Sequence, residues 1–157
     1  MRLFLFQLLI ITVCSCKSQN SEVPKQMYQT KEADIAVKFL NDYVSYLDLK
    51  SSNKDLSKWI EYYPLLTKNF KISYRKIVED AEKNDPEVGL EFDPILDAQD
   101  NPSGFVLKKI DQNGFLTLQG KDWLDFMVTV KLISAGNKCL VDGAGIINIP
   151  KDKQAKR

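Results

Sequence analysis

The hydrophobic period of this chain changes once, and that change bounds what it can fold into. From Glu32 to Lys83 the apolar side chains recur every three or four positions, and after Gly104 they recur every second one. Between Glu32 and Leu49, the residues Ala36, Leu40, Tyr43, Val44 and Leu47 share one helical face, which Val37 and Phe39 widen. Asp34, Lys38, Asn41, Asp42 and Asp48 take the opposite side. A short helix is expected over Lys54–Glu61. A third is expected over Lys68–Lys83, with Thr67 as its N-cap and a stripe of Phe70, Tyr74, Ile77 and Ala81. Pro86, Pro94 and Pro102 then deny regular structure to Asn84–Gly104.

Past that break, Phe105–Asp111 and Phe115–Gln119 read as strands joined by a tight turn at Asn113-Gly114, where both residues can take positive φ. Leu124, Phe126, Val128, Val130 and Leu132 alternate with polar neighbours as a half-buried strand. Lys138–Ile149 reads as the last strand, bent near Gly143 and Gly145. Helices first and an antiparallel meander last predict an α+β domain, with the N-terminal helices packed on one face of a curved sheet.

The first fifteen residues do not belong to that domain. Arg2 precedes an apolar run from Leu3 to Val13, too short to cross a bilayer and of the length of a secretory signal. The run ends in Val13-Cys14-Ser15-Cys16-Lys17, which resembles the lipobox of bacterial lipoproteins. That resemblance implies cleavage after Ser15 and acyl chains on Cys16, which would anchor the mature protein to a membrane. Residues 16–31, polar and carrying Pro24, read as a flexible tether. Residues 32–150 form the single folded domain, and 151–157 a charged, frayed tail. With Cys14 removed and Cys16 acylated, only Cys139 remains of the three cysteines, so no internal disulfide is expected. Its apolar surroundings suggest a core thiol.

Composition excludes several chemistries. The chain has no histidine, which removes Ser-His-Asp and Cys-His catalysis and any histidine-bearing zinc site. Twenty-two basic residues against 21 acidic ones, and 21 of each once Arg2 is removed with the signal, leave no net field to capture nucleic acid or anionic lipid headgroups. No cofactor is implied.

The order of elements resembles the nuclear-transport-factor-like (cystatin-like) cone. Asp93-Pro94-Ile95-Leu96-Asp97-Ala98-Gln99-Asp100 looks like the signature of the YbjP-like family of small bacterial envelope lipoproteins, a domain of unknown function. Phe39-Leu40-Asn41-Asp42-Tyr43 and Leu140-Val141-Asp142-Gly143 support the likeness, which runs over most of residues 33–149. The resemblance implies a cone fold and a place in the bacterial envelope. With the lipid anchor of the lipobox, the lack of an acidic run after Cys16 favours a domain facing the periplasm, at the outer membrane. It implies no reaction; it suggests that Asp93, Gln99 and Asp100 matter, and these are the candidate binding residues of the loop.

The loop bearing these residues also carries Glu87, Glu91 and Asp97. Clustered carboxylates suit a hard cation, and a buried one suits acid/base work. The plainer reading is turn-building, because short Asp side chains close turns in proline-rich loops. No metal is assigned. Trp123, out of phase with Leu124 and Phe126, is expected on the exposed face of its strand as a protein-contact residue. The expected function is a lipid-anchored periplasmic binding or accessory module for an envelope protein or a small apolar ligand. The alternatives are an isomerase or dehydratase using a pocket carboxylate, and an immunity-type protein.

Overall fold

The computed structural model describes residues 25–49 and 55–156. The expected signal segment, Cys16 and the tether through residue 24 lie outside the described residues. Three helices come first, α1 (Lys25–Leu47), α2 (Leu56–Tyr62) and α3 (Lys68–Asn84). Four strands follow, β1 (Phe105–Ile110), β2 (Phe115–Gly120), β3 (Met127–Ala135) and β4 (Lys138–Ala144). They form one antiparallel sheet in the order β1-β2-β3-β4, so the fold is α+β.

The apolar face of α1 is buried as its spacing requires, with Ala36, Phe39, Leu40, Tyr43 and Val44 at 1% exposure or less. It meets Leu116, Leu118, Val128, Val130 and Val141 from the inner face of the sheet in one core. Helix α1 begins at Lys25, so the last seven residues of the expected tether are helical. Asn41 and Asp42, assigned by spacing to the solvent side, are half-buried. Asn41 donates to the Phe105 carbonyl (3.1 Å) and accepts from the Phe105 N–H (2.7 Å), standing in for a neighbouring strand at the start of β1. Asp42 accepts from the Tyr63 hydroxyl at 2.6 Å and from Lys38 at 2.8 Å. Helix α3 starts as expected, with the Thr67 hydroxyl oxygen accepting from the Phe70 N–H at 3.0 Å.

Turn chemistry sets the strand ends. Only Gly114 of the Asn113-Gly114 pair has positive φ (80°), so the β1–β2 connection is not the two-residue turn the pair suggests. The Asp111 carboxylate closes a longer loop by accepting from the N–H groups of Asn113 (2.8 Å) and Phe115 (2.9 Å). Strand β3 starts at Met127, three residues later than the alternation predicts. Residues 121–125 form a turn instead, tied by the Phe126 N–H to the Trp123 carbonyl at 3.0 Å, which leaves Leu124 64% exposed. Strand β4 ends at Ala144, and the bend falls where glycine was expected. Gly145 has φ 59°, and a Cβ there would collide with the carbonyl oxygens of Pro94 and Ile95.

Two bulges interrupt the ladders. In β1, Lys108 is the extra residue between the Leu107–Leu118 and Lys109–Thr117 pairs. In β4, Asp142 is extra between Val141–Leu132 and Gly143–Lys131. A bulge bends its strand and re-aims side chains, and both sites recur below. The far edge of β4 is covered by Leu65–Thr67, through Val141 N–H to the Leu65 carbonyl (2.8 Å) and Thr67 N–H to the Val141 carbonyl (3.0 Å).

The charged C-terminal segment does not fray as its composition suggests. A 3₁₀ turn, Lys151–Lys153, packs on the outer face of the sheet. The Thr129 hydroxyl donates to the Lys153 carbonyl at 2.8 Å, and the Lys153 ammonium reaches the Asp111 carboxylate at 3.4 Å. Buried Ile147 and Ile149 hold the chain just upstream, so this turn has little freedom to leave.

Candidate functional site

The acidic loop is organised around Asp93. One carboxylate oxygen accepts from the N–H groups of Ile95 (2.7 Å) and Leu96 (3.0 Å). The other accepts from the Tyr43 hydroxyl at 2.5 Å, tying the loop to α1. The Asp93 backbone closes the same knot, its N–H donating to the Ala98 carbonyl and its carbonyl accepting from the Asp97 N–H, each at 2.7 Å. Asp97 takes positive φ (56°) to complete the turn. The apolar residues between, Ile95 and Leu96, are fully buried, and the Pro94 carbonyl accepts from Ile146 N–H at 3.0 Å. A short acid in a proline-rich loop thus satisfies N–H groups that burial would otherwise strand.

Asp93 and Gln99 come together along an open cleft of about 560 Å³, with Tyr74 behind them and Val88 and Phe92 on its rim. Gln99 is exposed and donates to the Glu91 carbonyl at 3.4 Å. Asp100 is exposed and outside the cleft lining. Tyr74 is buried, and that burial with the Asp93 charge nearby pushes its hydroxyl up to about 12. Burial raises the Tyr43 hydroxyl further, again with help from Asp93, so it stays a proton donor to that carboxylate. Among the described residues no group of three or more acidic or cysteine side chains is placed to hold a metal ion.

Trp123 lies apart from this cleft, on the turn between β2 and β3 rather than within a strand. Its ring is 47% exposed and meets Phe126 edge-on at 5.0 Å. Cys139 is half-buried rather than in the core. Burial and then the Glu32 charge push its thiol up, away from the thiolate that a nucleophile needs.

Three features escaped the sequence reading. Trp59 of α2 stacks on Tyr63, four residues on (4.5 Å), and on Tyr46 of α1 (5.4 Å), and nothing in its local spacing announces the second contact, which pins α2 to α1. Asp142, turned inward by the bulge, is 7% exposed. It accepts from the Thr67 hydroxyl (2.9 Å), Lys131 (3.2 Å) and Asn69 (3.5 Å). Burial pushes its carboxyl up, but the Thr67 hydroxyl and the Lys131 ammonium outweigh that and hold it below the usual range. The third is a lysine-lined groove of about 410 Å³ on the outer face of the sheet, built by residues 108–129 and the C-terminal segment. The lysine doublet Lys108-Lys109 was its only signal.

No protein-family model, curated protein or solved structure matches the chain. Among the described residues no helix is long and apolar enough to cross a membrane.

Proposed function

We propose that this chain is a non-enzymatic accessory module of the bacterial envelope. Acyl chains on Cys16 anchor it at the outer membrane, and it binds a periplasmic protein partner with the Trp123 end of its sheet. The observation that carries the reading is the pair of large apolar side chains on one turn, Trp123 at 47% and Leu124 at 64% exposure. Val106, 43% exposed on β1, pairs with Gln119, whose amide donates to the Leu124 carbonyl, which puts a third exposed apolar side chain on the neighbouring strand. Contiguous exposed apolar surface centred on tryptophan is the usual composition of a contact hot spot.

The isomerase or dehydratase reading has less support. A carboxylate that moves a proton needs an oxygen open to substrate, and both Asp93 oxygens already accept hydrogen bonds from the protein. The cleft rim favours a second binding reading, a small apolar ligand, because Val88 and Phe92 are 58% and 36% exposed there. The fold is consistent with a nuclear-transport-factor-like cone of the YbjP-like kind, and that assignment belongs to the same proposal.

The test places a photo-crosslinking residue at Leu124 and, as a control, at Val88 in the protein in its own envelope. One stoichiometric protein adduct at 124, lost on Trp123→Ala while the melting temperature falls by no more than about 5 °C, supports the module. No protein adduct at 124 overturns it, and a small-molecule adduct at 88 moves the weight to the cleft. Incorporation of a labelled fatty acid, abolished by Cys16→Ser, tests the anchor independently.

A further inference from the structure

Two local concentrations of charge lie on different parts of this fold. From Glu79 to Asp100 nine carboxylates stand against the single Lys83. The loop that carries most of them is fastened near the C-terminal half of α1 by the Tyr43–Asp93 bond. The outer sheet groove is the reverse, with Lys108, Lys109, Lys153 and Lys156 around it and only Asp111 and Asp152 to offset them. The β1 bulge makes this possible, since consecutive strand residues ordinarily face opposite sides and here both Lys108 and Lys109 line the groove. Lys153 is paired with Asp111, whereas among the described residues Lys108, Lys109 and Lys156 form no ion pair.

The point where the N-terminal segment joins the domain lies at the lysine end. Glu32, early in α1, shares a cleft with the hairpin Gln112–Phe115 and with Ser134 and Cys139. By Asn41 the helix has reached Phe105, at the other end of β1. Helix α1 therefore runs from the hairpin tips toward the acidic loop. A lipid on Cys16, nine residues before Lys25, is attached to the end of the domain nearest the lysine groove.

We infer that the lysine groove rests on the anionic phospholipid surface to which the chain is anchored. The lysine ammonium groups then meet headgroup phosphates, and the acidic loop and the Trp123 turn point into the aqueous compartment. The inference builds on the lipid-anchor reading above. A lysine near an anionic leaflet strengthens attachment roughly fivefold, and the effect fades within a Debye length of about 8 Å at physiological salt. The acidic end is repelled by the same field, so orientation gains from both ends although the chain has almost no net charge.

Amine footprinting of the whole acylated protein tests this. It is reconstituted in vesicles of phosphatidylcholine alone or with phosphatidylglycerol, and acetylation of each lysine is read by mass spectrometry. Lys108, Lys109 and Lys156 are expected to react roughly fivefold more slowly in the anionic vesicles. Salt at about 0.5 M should abolish the difference, and Lys121, at the opposite end of the sheet, should show none. Equal labelling of all four in both vesicles overturns the inference while leaving the anchor intact. Should the purified chain carry no acyl group, the anchor reading fails separately. Flotation with the anionic vesicles then decides the groove: binding lost on Lys108→Glu/Lys109→Glu upholds it, and no binding overturns it. Protection of the same lysines by inorganic phosphate alone, or only by an added envelope protein, also overturns the lipid assignment.

Discussion

Asp93→Ala deprives three donors of their acceptor at once: the N–H groups of Ile95 and Leu96 and the Tyr43 hydroxyl. Ile95, Leu96 and Tyr43 are all at 1% exposure or less, so water cannot replace the lost oxygen without opening the loop. Each buried donor left unmatched costs about 1–3 kcal/mol, and partial relaxation makes the total less than the sum, giving about 4 kcal/mol. Asp93→Asn keeps one oxygen for the two backbone donors and offers an amide to the Tyr43 oxygen, so its cost is about 1 kcal/mol. Tyr43→Phe removes one hydroxyl and should fall between the two, with a coupling to Asp93→Ala of about 1–2 kcal/mol. Urea unfolding followed by tryptophan fluorescence reads these values. With a slope of about 2 kcal/mol per molar, Asp93→Ala moves the midpoint by about 2 M. A shift below about 0.5 M at constant slope, or Asn as damaging as Ala, refutes the claim that Asp93 is there to hold the loop.

Gly145→Ala should cost about 3 kcal/mol or more, because its positive φ and the carbonyls of Pro94 and Ile95 both exclude a Cβ; an unchanged melting temperature would refute this close approach. The Asp142 carboxyl lies lower in the folded than in the unfolded chain, so its stabilisation is complete above the unfolded value of about 4 and is lost as pH falls from there through the folded value. Asp142→Asn should therefore flatten the acid side of the stability profile, and a curve parallel to the parent's below about pH 4 counts against the network. Trp59→Ala should cost about 3 kcal/mol in thermal unfolding through the loss of its stacking between Tyr46 and Tyr63, against about 1 kcal/mol or less for Trp123→Ala; equal costs would mean that Trp123 is a packing residue.

The two tryptophans show where local reading stops. Trp123 was marked because it falls out of phase with Leu124 and Phe126, a comparison made within a few residues, and it is indeed exposed, though on a turn. Helical spacing pairs Trp59 with Tyr63, four residues on, but carries no mark of Tyr46, which lies across the α1–α2 connection. Asn41 was misplaced for a related reason. Helical spacing assigns a residue to a face but does not say whether a strand end 64 positions away needs a hydrogen-bonding partner there.

The sequence by itself determined the class of fold, the N-cap of α3, the proline-rich break and the glycine bend after β4, since each rests on the conformational limits of residues close together in the chain. It also favoured turn-building for the acidic loop over a cation or acid/base role, on side-chain length and proline content alone. The donors that commit the carboxylate came from tertiary structure. A carboxylate is architectural or open to chemistry according to which donors surround it, and Tyr43, the donor that commits Asp93, lies 50 residues away on another element. The lysine groove is of the same kind. The near-neutral total shows nothing, and only the folded sheet, with a bulge in β1 and the C-terminal turn laid across it, gathers four distant lysines around one groove.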